Sequence, residues 1–219
     1  MTRVLYLYAV LDRAPRAARL RGLAREPVRF VRSGRLVAAV GEMARPPRPD
    51  LANLRAHDRV VRRLTGLTSA ALPARFGSLA PTPEALRASL RPRARVLRRA
   101  LAQVSGREQM TLRVRVRPPS RFEPTDGPGT RHLRRLLARD PRANAEVRRL
   151  LDGLRPLVRA EEVEPAPDDK GAGRIHHLVD RGSAGRYRAQ VRKAARAQPG
   201  LRVSCTGPWA PYSFAGGRA

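Results

Sequence analysis

The sequence predicts an α+β fold: two α+β domains (small sheets with helices packed on them), residues 1–80 and 106–219, joined by a helical connector over 81–105, with an aromatic C-terminal tail. Val4 to Leu11 is apolar at both alternations, the pattern of a strand central in a sheet. Arg107 to Arg117 alternates strictly, with Met110, Leu112, Val114 and Val116 opposite Thr111, Arg113, Arg115 and Arg117, as a half-buried strand does. Between these strands the periodicity becomes helical: Leu51, Leu54, Val60, Val61 and Leu64 share one stripe, and Val96, Leu97, Leu101 and Val104 another.

In the first strand Tyr6 and Tyr8 share a face; a core-facing pair is the expected use, a binding patch the alternative. Val28 to Arg32, Ser33-Gly34 and Leu36 to Val40 read as strand, turn, strand, with Gly34 serving the turn. Met43 to Pro49 is Pro-rich loop, and Asp50 caps a helix running to about Thr65. His57 lies near that helix's stripe with no His or Cys within a turn, so it reads as packed or hydrogen-bonded. Ala71 to Gly77 is a short extended piece and a turn; Arg75 is expected as a buried structural donor, with an anion contact the alternative.

Thr82-Pro83-Glu84 marks a helix start with Pro at the first helical position. Pro92 ends or kinks that helix, or opens a second one that Gly106 stops. Pro118 to Gly129, with four Pro and two Gly, reads as a loop insertion, and Thr130 to Ala138 as helix. Asp140-Pro141 opens another helix, whose stripe runs from Val147 to Val158 and which Pro156 ends or kinks. Glu161 to Asp169, five acids and two prolines, is expected as exposed loop. Arg174 to Arg181 reads as strand, Ser183 as cap of a helix to about Gln198, and Leu201 to Thr206 as the last strand.

That strand runs into a stiff tail. Gly207 permits a sharp change of direction, Pro208 and Pro211 fix φ, and the segment presents Trp209, Tyr212 and Phe214. In a chain only 4% aromatic, so concentrated a supply implies an anchor, docked on its own domain or on a partner. Pro208 gives the indole little reach, so Trp209 is expected to dock and Phe214 to face a partner.

Composition narrows the function. The chain has 219 residues and 42% hydrophobic content, enough for real cores, and no apolar run long enough to span a membrane. Met1-Thr2-Arg3 leads straight into a strand, and one cysteine, Cys205, excludes an internal disulfide; a cytoplasmic protein is the expectation. The net charge is +28, and only Lys170 and Lys193 of the 46 basic residues are lysines. The excess of Arg, Ala, Pro and Gly fits G/C-rich codons, so the basic surface is either a solvated bias or a face for anions. There is no Gly-rich phosphate loop, no nucleophile with a positioned His, no paired carboxylates in an ordered segment and no metal-ligand spacing. His176 and His177 would point to opposite faces of a strand and so would not share a metal. No enzyme activity, cofactor or metal is therefore expected.

Gly207 to Phe214, Gly-Pro-Trp-Ala-Pro-Tyr-Ser-Phe, resembles the C-terminal signature of the gas vesicle protein F/L family (GvpL/GvpF), usually written GPWPPYSF. Tyr6 to Val10 resembles that family's opening strand and Glu26 to Val40 its first hairpin. His57-Asp58-Arg59-Val60-Val61 is similar to its HERVV-like helix, and Leu72 to Gly77 to its LPxRFG segment. Gly106-Arg107-Glu108 and Leu178-Val179-Asp180-Arg181 complete the ordered series, which covers nearly the whole chain. His132 and His177 fall where the family carries aromatic residues. The resemblance implies two α+β domains and a non-enzymatic accessory or minor structural protein of gas vesicle assembly. It implies binding to the hydrophobic major shell protein and to other accessory proteins, with location in the cytoplasm and at the gas vesicle. The candidate contacts are Tyr6, Tyr8, Arg75, Phe76, Trp209, Tyr212 and Phe214.

The alternative is a basic nucleic-acid-binding protein using the Arg113/Arg115/Arg117 ridge and pairs such as Arg62-Arg63 and Arg98-Arg99. Single-strand readers interleave aromatics with a basic groove, and aromatics are scarce here, so non-specific nucleic-acid binding is the most expected of it.

Overall fold

Val4–Leu11 (β1) is the centre of a five-stranded sheet in the computed structural model, which describes residues 3–16, 19–116, 141–164 and 174–216. β1 pairs antiparallel with Leu36–Met43 (β3), which pairs in turn with Val28–Ser33 (β2). On its other edge β1 takes Ala71–Pro73 (β4) and Leu79–Ala80 (β5), both antiparallel. Gly34, at φ +59°, makes the turn between β2 and β3. The β1/β3 register slips between Leu7 and Ala9, which puts Tyr8 at a bulge.

Leu51–Leu67 (α1) begins as its cap predicts, with the Asn53 amide donating to Asp50 Oδ1 at 2.8 Å. Ala56, His57, Val60, Val61 and Leu64 face the core. Leu51 and Leu54, expected on that stripe, are instead 69% and 41% exposed. At about 100° per residue Leu51 stands opposite Val60, so one helix face cannot bury both. Pro83–Leu90 (α2) is capped by Thr82 and opens on Pro83; Ala94–Val104 (α3) follows Pro92 and stops before Gly106, at φ +68°. α2 packs on β2 and α3 on β4.

The second sheet has Arg107–Val116 (β6), Ala160–Glu164 (β7), Arg174–Asp180 (β8) and Leu201–Trp209 (β9), in the order β7-β8-β6-β9. Pro141–Asp152 (α4) and Ala184–Arg196 (α5) supply Leu150, Tyr187 and Val191 to one core with Met110, Leu112, Val179 and Leu201. The architecture is α+β, with two small sheets and packed helices.

Three expectations are corrected here. Ala160–Glu164 is a strand, antiparallel to β8, where a loop was expected. Its acids face a partner strand carrying Arg174, His176 and His177, so cross-strand charge and hydrogen bonding replace the apolar alternation that marks most strands. The last strand runs past Thr206 to Trp209. Ser183 holds the cap position of α5, but its hydroxyl donates to the Asp180 carbonyl at 2.6 Å and closes the preceding turn. The expected loop over 118–129, the helix over 130–138, Arg117, His132, Asp140 and residues 165–169 lie outside the described residues.

By packing, Met1–Glu108 with Trp209–Ala219 forms one compact unit and Gln109–Pro208 the other. The connector over 81–105 and the tail, which the sequence placed apart from and beyond the first domain, thus group with the first unit.

Candidate partner-binding surface

In the first unit Tyr6 and Tyr8 are wholly buried, their rings 4.9 Å apart and tilted by 61°. His57 lies against both rings, and Phe76, half-buried, meets Tyr6 and His57 edge-on. His57 Nε2 is 3.2 Å from the Ala74 carbonyl, which only accepts, so Nε2 carries the proton. Nδ1 is then left to accept from Tyr6 Oη at 2.9 Å. Tyr8 Oη donates to Glu26 and accepts from the Leu23 amide at 2.8 Å. Burial pushes the Tyr6 hydroxyl up to about 12 and the Tyr8 hydroxyl higher, and it lowers His57.

These contacts make Tyr6 and Tyr8 core, and a partner cannot touch them without opening the sheet–helix layer. Arg75 is exposed, not the buried donor expected; its carbonyl accepts from the Ser78 amide and hydroxyl, at 3.1 and 2.8 Å. Gly77, at φ +82°, follows in the same turn.

The tail reverses the expected order of its aromatics. Tyr212–Phe214 forms one tight helical turn packed on β4. Phe214, in that turn, is 4% exposed and so is buried. Trp209 and Tyr212 are each 37% exposed and lie on the outer side of α1. The Arg62 guanidinium stands over the Trp209 ring, 4.7 Å from its centroid, and is paired with Asp58 at 2.7 Å. Tyr212 Oη donates to Asp58 Oδ1 at 3.4 Å, and burial first, then Asp58, raises its hydroxyl. Asp58 and Arg62 are four apart on one helix face, a spacing legible in the sequence, but nothing local pairs them with the tail.

The second unit holds a polar pair that the sequence did not reveal. His177 Nε2 lies 2.8 Å from Glu161, and Nδ1 accepts from Tyr187 Oη at 2.6 Å. His176, on the opposite face, meets Thr111 at 3.0 Å and Gln109 at 3.2 Å through Nδ1, and Glu164 at 3.4 Å through Nε2. The two histidines share no ligand, and no group of three metal-ligating side chains occurs among the described residues. The signal that was available is an acid-rich segment, with Glu161, Glu162 and Glu164, preceding a strand rich in Arg and His.

No helix among the described residues is long and apolar enough to cross a membrane. The crystal structure of gas vesicle protein GvpF from Anabaena sp. PCC7120 is similar over 98% of this chain and 96% of that one, with a TM-score of 0.78 and 19% identity. That of GvpF from Microcystis aeruginosa is similar over 97% and 99%, with a TM-score of 0.71 and 17% identity. Both likenesses are of fold. In sequence, gas vesicle protein L of Streptomyces sp. (strain CB03234) is 32% identical over 230 residues, covering 89% of this chain and 85% of that protein. The protein-family model for gas vesicle synthesis protein GvpL/GvpF matches residues 4–216, and the chain belongs to that family.

Proposed function

We propose that this protein is a non-enzymatic accessory or minor structural protein of gas vesicle assembly that binds the hydrophobic major shell protein while the vesicle forms. The family match across residues 4–216 is the observation that carries this reading. A protein that handles a very apolar client needs exposed apolar surface, and Trp209 and Tyr212 supply some of it. In this reading it acts in the cytoplasm at the growing vesicle, meets other gas vesicle accessory proteins there, and uses no cofactor.

Two experiments test it together. Tagged protein co-expressed with the major shell protein of the same host is expected to retain that protein through purification. Deletion of the gene from a vesicle-forming host is expected to abolish or malform vesicles. Normal vesicles in the deletion strain, with no shell protein retained, would overturn the reading.

A further inference from the structure

Of the eight large hydrophobic side chains exposed among the described residues, four collect on one side of α1: Leu51, Leu54, Trp209 and Tyr212. Leu51, Leu54, Asp58 and Arg62 follow one another three or four residues apart, so they form a single stripe along the helix, exposed at Leu51, Leu54 and Arg62 and half-buried at Asp58. Tyr212 is bonded to Asp58 and Trp209 lies under Arg62, so the aromatics continue the apolar surface that the two leucines begin. From Leu51 to Arg62 the stripe is about 16 Å long at 1.5 Å per residue, the length of roughly three helical turns.

A second row runs beside the first. Arg55, Arg59 and Arg63 are exposed and spaced four apart, so they line one border of the stripe. α1 carries four arginines and one aspartate, and that aspartate is already held by Arg62. We propose that this face docks an amphipathic helix of a partner protein, with an apolar ridge bordered by a row of Asp or Glu spaced three or four residues apart. The proposal deepens the partner-binding reading above by naming where the partner sits and what it must present.

Charge selects this occupant over a second copy. An antiparallel isologous contact would set the Arg55/Arg59/Arg63 row against its own image. It would also do so between molecules of net charge +28, where like charges oppose approach. Carboxylates meet the same row with attraction and leave the stripe free for apolar burial.

Trp209, the sole tryptophan of the chain, reports on the site directly. The probe is a synthetic amphipathic helical peptide with a Leu ridge and a bordering Glu row, compared with the same peptide carrying Lys for Glu. The Glu peptide is expected to shift Trp209 emission and bind at least tenfold more tightly than the Lys peptide. Leu54→Arg is expected to weaken binding at least tenfold, and Arg55→Glu with Arg59→Glu to reverse the peptide preference. These side chains are exposed, so circular dichroism melting is expected to be unchanged. Equal binding of both peptides, or binding indifferent to Leu54→Arg, overturns the proposal. So does a dimer in sedimentation that Leu54→Arg dissolves, since it assigns the face to a second copy. Shell-protein retention separates the two readings: retention by Leu54→Arg at the wild-type level sinks this face while the proposed function stands. Loss of retention in wild type sinks the proposed function and leaves the peptide result to decide the face.

Discussion

The Arg62 guanidinium lies 4.7 Å from the centroid of the Trp209 ring, a contact within the first unit that holds the start of the tail against α1. A cation–π contact of this kind at a partly exposed site contributes about 0.5–1 kcal/mol. It fixes the indole without burying it, and so leaves an aromatic surface available.

The tail residues are therefore expected to separate in a mutational test. Phe214→Ala empties a buried site and is expected to cost about 3–5 kcal/mol. Trp209→Ala removes the cation–π contact and a partly exposed ring, and is expected to cost only about 1–2 kcal/mol. Chemical denaturation of the two variants side by side checks the order, which is the reverse of the one the sequence implied.

Gly207 is expected to tolerate no side chain. Its φ is +118°, and a Cβ there would lie 2.7 Å from the Gln109 carbonyl oxygen and 3.2 Å from Met110 Cα. Those are backbone atoms that cannot swing aside. Gly207→Ala is expected to cost about 1–3 kcal/mol from backbone strain alone, with the clash added, read as a lowered melting temperature.

Acid is expected to destabilise both units through their histidines. Burial lowers His57 and His177, with Glu161 opposing the shift at His177, so both are neutral in the fold. A group with a depressed folded pKa resists protonation only when folded. The unfolded chain takes up the proton first, near the ordinary histidine value of about 6.5. Stability is thus full above that pH and falls as the pH drops through it. Urea denaturation from pH 8 to pH 5 reads this directly, and a midpoint that rises on acidification contradicts it.

Tyr187→Phe is expected to leave His177 Nδ1 buried without its donor at 2.6 Å. An unsatisfied buried polar atom costs about 1–3 kcal/mol, although the ring that fills the core is retained. The loss is measurable by thermal melting, and Tyr187→Leu, which also removes packing, is expected to exceed it.

Nucleic-acid binding, if drawn by the exposed Arg113 and Arg115, is expected to be electrostatic and non-specific. Six to ten phosphate contacts lose roughly 10³–10⁵ in affinity between 50 and 200 mM salt. A filter-binding titration across that range checks it; sequence-selective binding that persists at the higher salt would favour the nucleic-acid reading.

The sequence by itself determined the elements whose signals are local. The Asp50 and Thr82 caps, the breaks at Pro92 and Gly106, the Gly34 turn and the alternation of Met110, Leu112 and Val114 all act over a few residues, and each lies where expected. The octet from Gly207 to Phe214 carried the family assignment in the same way. Tertiary structure alone decided which faces those elements cover. Leu51 and Leu54 look like core by residue type, yet they are 69% and 41% exposed, because the helix turns its opposite face to the sheet. Phe214 and Trp209 exchanged roles because one helical turn after Pro211 redirects the chain, which residue type does not encode. Glu161 joined a strand because His177, distant in sequence, bonds it, and Tyr187 satisfies the other nitrogen of that ring. Short-range preferences are written residue by residue. Burial and pairing depend on where the rest of the chain comes to rest.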